Sequence, residues 1–394
     1  MQRRNARFPL STLRRALVLA ALAAAARAAP APGDDDGLVS TWVLHFDGEM
    51  RVACVATYRD LLRELPRKTR VLVGVTTAED ARRFRDEIGL TDKPDPRVRF
   101  VEAGEWVSGW ARDRYVFFAK DGKECLFLPR REGVAPNRLG DLAIARELKR
   151  VEPDLEVIEG DLDLEGGNLL FTGNEVIAGP AAVAANVLEG AAEADVRSRI
   201  EDVFGRRLVV VADADSPLAR EHVDMYIGVA GPKTLLLGDP RAALAALDEG
   251  DDPREFGRFK REKQLALAEA YDVIEARLKE EGFEVRRIPI LHAEDGVILT
   301  WTNAVVETRG KTRRVYMPRY GLKRLDAIAQ GVWKDLGWEP VPISAEAVIV
   351  LGGGVRCVTN TRRDAVAPGE EVEDGGAGEG AEQDDDEAGA QKGG

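Results

Sequence analysis

Short segments rich in β-branched and apolar residues alternate with helix-periodic ones over most of this chain, and that alternation limits it to an α/β architecture. Strands are expected at Thr41–Phe46, Arg70–Val75, Val98–Val101, Tyr115–Ala119, Leu208–Val211, Thr234–Leu237, Val297–Thr300, Val315–Met317 and Ala347–Leu351. Helices are expected at Thr57–Glu64, Ala78–Glu87, Leu139–Arg150, Glu193–Val203, Leu322–Leu336 and, as one long helix, Arg254–Glu281. No glycine fingerprint of a dinucleotide fold follows the first strand. No linker-like stretch interrupts the alternation, so residues 38–366 are read as one continuous domain.

The two ends differ from this core. Arg3, Arg4, Arg7, Arg14 and Arg15 precede an apolar run, Ala16 to Ala26, and the small-x-small triplet Ala26-Arg27-Ala28 follows. That order is that of a secretory signal peptide over residues 1–28. Its eleven apolar residues are too few to span a bilayer, so an exported protein without stable membrane insertion is expected. Residues 29–37 are read as a flexible leader, and residues 368–394 as an acidic, disordered tail. Deleting residues 370–394 is expected to leave melting temperature and activity nearly unaltered, since a tail without apolar anchors contributes no core; a drop of several degrees would show that it docks.

Charge narrows the partners. Loss of residues 1–28 removes six arginines and no acid, taking the formal charge from −13 to −19. Such a chain repels phosphate backbones, which argues against nucleic acid as a partner, and draws in cationic small molecules and arginine-bearing peptides. Cysteine occurs only at 54, 125 and 357, and histidine only at 45, 222 and 292. An odd number of cysteines leaves at least one thiol unpaired in an exported chain. Chemistry that needs one thiol and one imidazole therefore has few candidates.

Four polar segments stand at strand–turn junctions: Trp110-Ala111-Arg112-Asp113, Glu165-Gly166-Gly167-Asn168, Glu221-His222-Val223-Asp224, and the glycine turn Gly352-Gly353-Gly354-Val355-Arg356-Cys357 after the expected strand Ala347–Leu351. Taken alone, each has a plain reading. The glycines mark tight turns and make a poor phosphate loop without a following Lys-Ser/Thr. Cys357 fits an inert core thiol. His222 and Asp224, two apart on a strand, share a face and suit an ion pair or half a metal site equally well, although ligand spacing elsewhere is lacking.

Taken together, in this order, the segments resemble the guanidine-modifying enzymes: arginine deiminase, agmatine deiminase and peptidyl-arginine deiminase. Thr300-Trp301-Thr302-Asn303, followed by Val315-Tyr316-Met317-Pro318, resembles a further element of the agmatine and bacterial peptidyl-arginine branch. The resemblance covers about Val39 to Arg363. It implies the pentein fold, a five-bladed, pseudo-symmetric α/β propeller around a polar channel. The markers Asp113, Glu165, His222, Asn303 and Cys357 lie 52, 57, 81 and 54 residues apart, compatible with five modules if the long Arg254–Glu281 helix is an insertion. The chain departs from the agmatine branch at Arg114-Tyr115, where a Gly-Pro is usual, and at Arg356, where a histidine is usual.

A guanidinium carbon is a poor electrophile, so it must be gripped by carboxylates against a strong nucleophile. The resemblance assigns that nucleophile to Cys357, the proton transfers to His222, and the orientation of His222 to Glu165. Asp113 and Asp224 are the expected grip, with Trp110, Arg112, Asn168 and Asn303 as further substrate-binding residues. Arg356, the glycine-turn amides and the bound cation are each expected to lower the thiol pKa. The expected partner is a guanidino substrate, an arginine side chain or agmatine, converted to a ureido product and ammonia without metal or cofactor. Transfer of the amidino group to an amine, or idle binding of cationic peptides, remains open at this stage; so do the oligomeric state and any pairing of Cys54 with Cys125.

Overall fold

The computed structural model describes residues 33–364 except 35–36, 47–49, 131–137 and 188–189; the signal-peptide and tail readings lie outside the described residues.

One unit, an antiparallel hairpin followed by a helical crossover to a parallel third strand, occurs five times. Val116–Lys120 and Lys123–Leu128 form the first such hairpin, and after helix Leu139–Val151 the strand Glu156–Glu159 joins parallel. Leu169–Phe171, Glu175–Ala178 and Arg207–Val210 repeat it, with helices Pro180–Val187 and Glu193–Phe204 in the crossover. Ile227–Gly231, Thr234–Asp239 and Glu284–His292 make the next, with Ile298–Thr300 added antiparallel at its edge. Val305–Arg309, Thr312–Arg319 and Glu339–Ser344 follow around helix Lys323–Asp335.

The last blade joins the two ends of the chain. Thr359–Asp364 pairs antiparallel with Leu38–Phe46, pairing Asp364 with Leu38. Leu38–Phe46 then runs parallel to Arg70–Val75, beyond which Val98–Glu102 adds a fourth strand. Five sheets and this closure make the α/β propeller expected of the pentein fold.

Local sequence explains the elements. Helix Ala78–Ile88 opens on a capping box between Thr77 and Asp80, buries Ala81, Phe84 and Ile88 at helical spacing, and stops at Gly89, whose φ is 84°. Neighbouring blades are pinned by buried groups. Trp42 meets Tyr316 edge-on at 5.2 Å between ring centroids, and His45 Nε2 and Tyr115 OH are 2.7 Å apart. Among the described residues no helix is long and apolar enough to cross a membrane. Cys54 and Cys125 are buried in different core clusters, and no disulfide joins them.

Three expectations are corrected. Ala347–Leu351 is not a strand: Glu346–Ile349 forms a short helix, and a turn follows. Its β-branched run misleads because only Val348 and Ile349 pack inward, leaving Val350 and Leu351 exposed. The Arg254–Glu281 helix is not an insertion. A separate turn, Arg254–Phe256, ends at Gly257 (φ 133°), and Arg261–Glu280 is the crossover helix of its blade, burying Leu267, Ala268, Tyr271, Ile274 and Leu278. The leader reading fails at Asp34, whose amide donates to the Phe171 carbonyl at 2.6 Å.

Candidate active site

All five marker segments lead directly into the first strand of a blade. Asp113 precedes Val116, Asn168 precedes Leu169, Asp224 precedes Ile227, Asn303 precedes Val305 and Cys357 precedes Thr359. Pseudo-equivalent strands share one end, so residues distant in sequence meet there. Hydrogen bonds link the segments. Gly166 N donates to Asp113 O (3.1 Å), Asn303 Nδ2 to Asp224 O (3.4 Å), Arg356 N to Asn303 O (3.3 Å), and Arg112 N to Cys357 O (3.3 Å). The second and third segments also pack closely: a Cβ on Gly167 would lie 2.2 Å from His222 Nδ1, so only glycine fits. Gly353 likewise admits the ring of Trp110, which would stand 2.2 Å from an added Cβ.

Cys357 is 4% exposed. Asn303 holds it from two sides: its Nδ2 donates to Sγ at 3.1 Å, and its Oδ1 accepts the amides of Arg356 (2.9 Å) and Cys357 (3.2 Å). Met225 Sδ lies 3.8 Å from Sγ. His222 does not lie on a strand, as the sequence reading had it; it caps the 3-10 turn Val223–Met225, which contains Asp224. Its Nε2 is 2.9 Å from Glu165 Oε2, and its Nδ1 is 3.8 Å from Asp113 Oδ1. The side chains of His222 and Glu165 are 24% and 31% exposed, in contrast to the buried thiol.

Charges follow from these contacts. Burial resists protonation of His222, but the Glu165 hydrogen bond and the charges of Asp113 and Asp224 raise its pKa to about 9. Glu165 is lowered to about 2, first by that same hydrogen bond and then, against burial, by the charges of His222, Arg114 and Arg138. Burial pushes Asp113 up to about 6 although His222 and Arg138 oppose it. Cys357 is held well above the ordinary thiol range by burial and by Asp224 and Asp113, against the Gly354 amide and Asn303. Arg356 and Cys357 attract each other through their charges, as expected, but burial and the two aspartates outweigh that attraction. The Arg356 guanidinium is held by Asp224 Oδ2 (2.8 Å) and Asp34 Oδ2 (3.0 Å).

Two acceptors are left over. Asp113 Oδ1 and Asp224 Oδ1 are buried without a hydrogen-bond partner among the described residues. A buried carboxylate oxygen left unpaired is costly, and a pair of them suits a planar cation with several N–H donors. Other expected residues stand further back. The Arg112 side chain is buried and lines a cavity with Asp34, Arg356 and Arg363, and the amide oxygen of Asn168 is turned toward Gly179. Sequence reasoning missed Asp34, Arg138 and Met225. Arg138 reaches both Asp113 Oδ2 and Glu165 Oε1 at 3.3 Å, but it stands in no motif. No group of three or more His, Cys, Asp or Glu among the described residues has the arrangement of a metal site.

The fold and this cluster define a guanidinium-modifying enzyme of the pentein class. The sequence profile of the Porphyromonas-type peptidyl-arginine deiminases matches residues 42–362, and the chain belongs to that family. Its members are hydrolases that split a C–N bond of a guanidinium, releasing ammonia. No curated protein sequence matches the chain. Among solved structures it is similar to the agmatine deiminase of C. jejuni, at 14% identity and a TM-score of 0.65, covering 86% of this chain and 97% of that one. The agmatine deiminase of Enterococcus faecalis is similar at 14% identity and a TM-score of 0.64, over 85% of this chain and 96% of that one. These likenesses bear on the fold.

Proposed function

We propose that this chain deiminates arginine in peptides or proteins outside the cytoplasm, with Cys357 as nucleophile, His222 as acid and base, Glu165 as the orienter of His222, and Asp113 and Asp224 as the guanidinium grip. The observation that carries this reading is the pair of buried oxygens on Asp113 and Asp224 that have no hydrogen-bond partner among the described residues, beside a buried thiol. The signal-peptide pattern of residues 1–28, the acidic charge and the description of the family favour peptidyl-arginine over agmatine. A Cys→Ser variant of the C. jejuni agmatine deiminase, solved with substrate bound, supports a thiol-dependent reaction in this fold.

Substrate binding itself starts the chemistry. A guanidinium between Asp113 and Asp224 offsets the two charges that keep Cys357 protonated, so the thiol proton leaves to solvent and the thiolate attacks the central carbon. His222, protonated at neutral pH, gives its proton to the departing nitrogen, and ammonia leaves a positively charged thiouronium on sulfur. The neutral imidazole then takes a proton from water, and the resulting hydroxide adds to the same carbon. Collapse breaks the C–S bond, returns the thiolate, and releases a ureido product as one proton passes to solvent. Trp110 and Asn303 bound the pocket; Arg112 and Asn168 support its wall without touching substrate.

Ammonia and citrulline release from an arginine peptide, free arginine and agmatine, with no acceptor amine present, tests this directly. Turnover is expected to be greatest on the peptide. A dependence on added amine would make the protein an amidinotransferase, and preference for agmatine would overturn the substrate class.

Thiol labelling gives a second prediction. A haloacetamidine carries an amidinium on its warhead, whereas iodoacetamide is neutral and of similar size. Cys357 is expected to react at least about tenfold faster with the amidine, by attraction to the two carboxylates, and an arginine peptide should protect it. Cys54 and Cys125 should show no such preference. Peptide mapping that finds equal labelling of all three thiols would return Cys357 to an inert core residue.

A further inference from the structure

Asp34 lies in a run of three aspartates ahead of the first strand, yet it is built into the back of the site. Its amide donates to Phe171 O (2.6 Å), and its Oδ2 accepts from Phe171 N (2.9 Å) and from Arg356 Nη2 (3.0 Å). Arg356 is 3% exposed in its side chain and forks between two carboxylates, Asp34 on one side and the fully buried Asp224 on the other. Its remaining contacts are backbone carbonyls: Leu169 O at 3.0 Å and Gly166 O at 3.5 Å. The cavity beside Asp34 is also lined by Arg112, Arg356 and Arg363, a concentration of positive charge directly behind the guanidinium grip.

The balance of charge gives Asp34 its consequence. Asp224 and Arg356 alone form a neutral pair, and a neutral pair attracts an incoming cation weakly. With Asp34 on the far side, the three groups together carry one negative charge, and Arg356 engages Asp224 through Oδ2, leaving Oδ1 without a hydrogen-bond partner among the described residues. Burial opposes ionisation of Asp34, but Arg356, Arg112, Arg363 and the Phe171 amide keep its carboxyl below the usual range. Each of these contacts is long-range in sequence, so the segment is held by the folded site and not by its own strand.

Resting on the deiminase reading above, we propose that Asp34 is a positioning residue for guanidinium capture: by holding and neutralising Arg356 it leaves Asp224 free to bind the substrate cation. Its effect therefore falls on binding more than on the bond-breaking steps.

Full-length Asp34→Asn is expected to raise KM for the best guanidino substrate about tenfold, with kcat within about threefold of the parent. It should also reduce the preference of Cys357 for haloacetamidine over iodoacetamide by a similar factor. Asp34→Glu, which keeps the charge, should recover most of both. In Asp34→Ala, formate should lower KM as it fills the vacated carboxylate position, a response that serves equally if the asparagine variant does not fold. Unchanged KM and labelling preference in Asp34→Asn, or a lower melting temperature with kcat reduced and no recovery by glutamate or formate, would overturn the proposal. The labelling arm needs no turnover. If the parent protein released no ammonia from any guanidine while Asp34→Asn still lost amidine preference, the deiminase reading would fail and the role of Asp34 would stand.

Discussion

Replacing Cys357 with alanine is expected to lower kcat by at least about 10³-fold while the protein stays folded. Met225, whose Sδ lies 3.8 Å from Sγ, cannot replace it, because a thioether has no proton to lose. The folded state should tolerate the change because alanine retains Cβ and the backbone amide that Asn303 Oδ1 accepts at 3.2 Å. The melting temperature should stay within about 3 °C of the parent, the usual effect of removing one small buried group from a domain this large. Ammonia release above a few per cent of the parent rate would remove Cys357 as nucleophile. A collapse of the thermal transition would instead show that the thiol is structural.

The second large effect is expected at Asp224. Asparagine there keeps the shape but discards a charge that faces a cation on each side, Arg356 within the protein and guanidinium in the pocket. We expect kcat/KM to fall on the order of 10²–10³-fold. Stability should fall too, because Arg356 Nη1 loses a fully buried ion pair at 2.8 Å. Breaking such a pair costs about 3 kcal/mol, a shift of roughly 4 °C in melting temperature for a domain of this size. Asp113→Asn provides the contrast. Burial already holds the Asp113 carboxyl at about 6, so its loss should lower kcat/KM comparably and leave thermal stability nearly unchanged. Unaltered kinetics in Asp224→Asn would take that residue out of the grip; a large stability loss in Asp113→Asn would show that it mainly serves the fold.

The site was more legible in the sequence than the blades that carry it. Short polar motifs at Asp113, Glu165, His222, Asn303 and Cys357 needed only their order to be recognised, because each chemical role restricts the residue type. The strands obeyed weaker rules. Glu339–Ser344 contains Pro340 and Pro342 and reads as coil, yet it is tolerated at a sheet edge where it pairs only with Thr312–Arg319. Glu156–Glu159 is four residues long with a charged residue at each end, and only its pairing with Lys123–Leu128 defines it. Ala347–Leu351 failed the opposite way, as a β-branched run that tertiary packing turned into a helix. Asp34 was illegible because its partners, Phe171 and Arg356, are 137 and 322 residues away, beyond any local pattern.

The pairing of Thr359–Asp364 with Leu38–Phe46 also has a temporal consequence. Joining the ends of a loop of some three hundred residues costs about 5 kcal/mol of chain entropy, which only the completed ring of blades can offset. Cys357 stands two residues ahead of the strand that makes this closure. On the proposed mechanism, a chain synthesised only as far as the fourth blade has the carboxylates and the imidazole but not yet the thiol, which arrives just before the strand that locks the ring. Leu38 and Asp364, already neighbours, would allow the backbone to be opened at another loop and rejoined there.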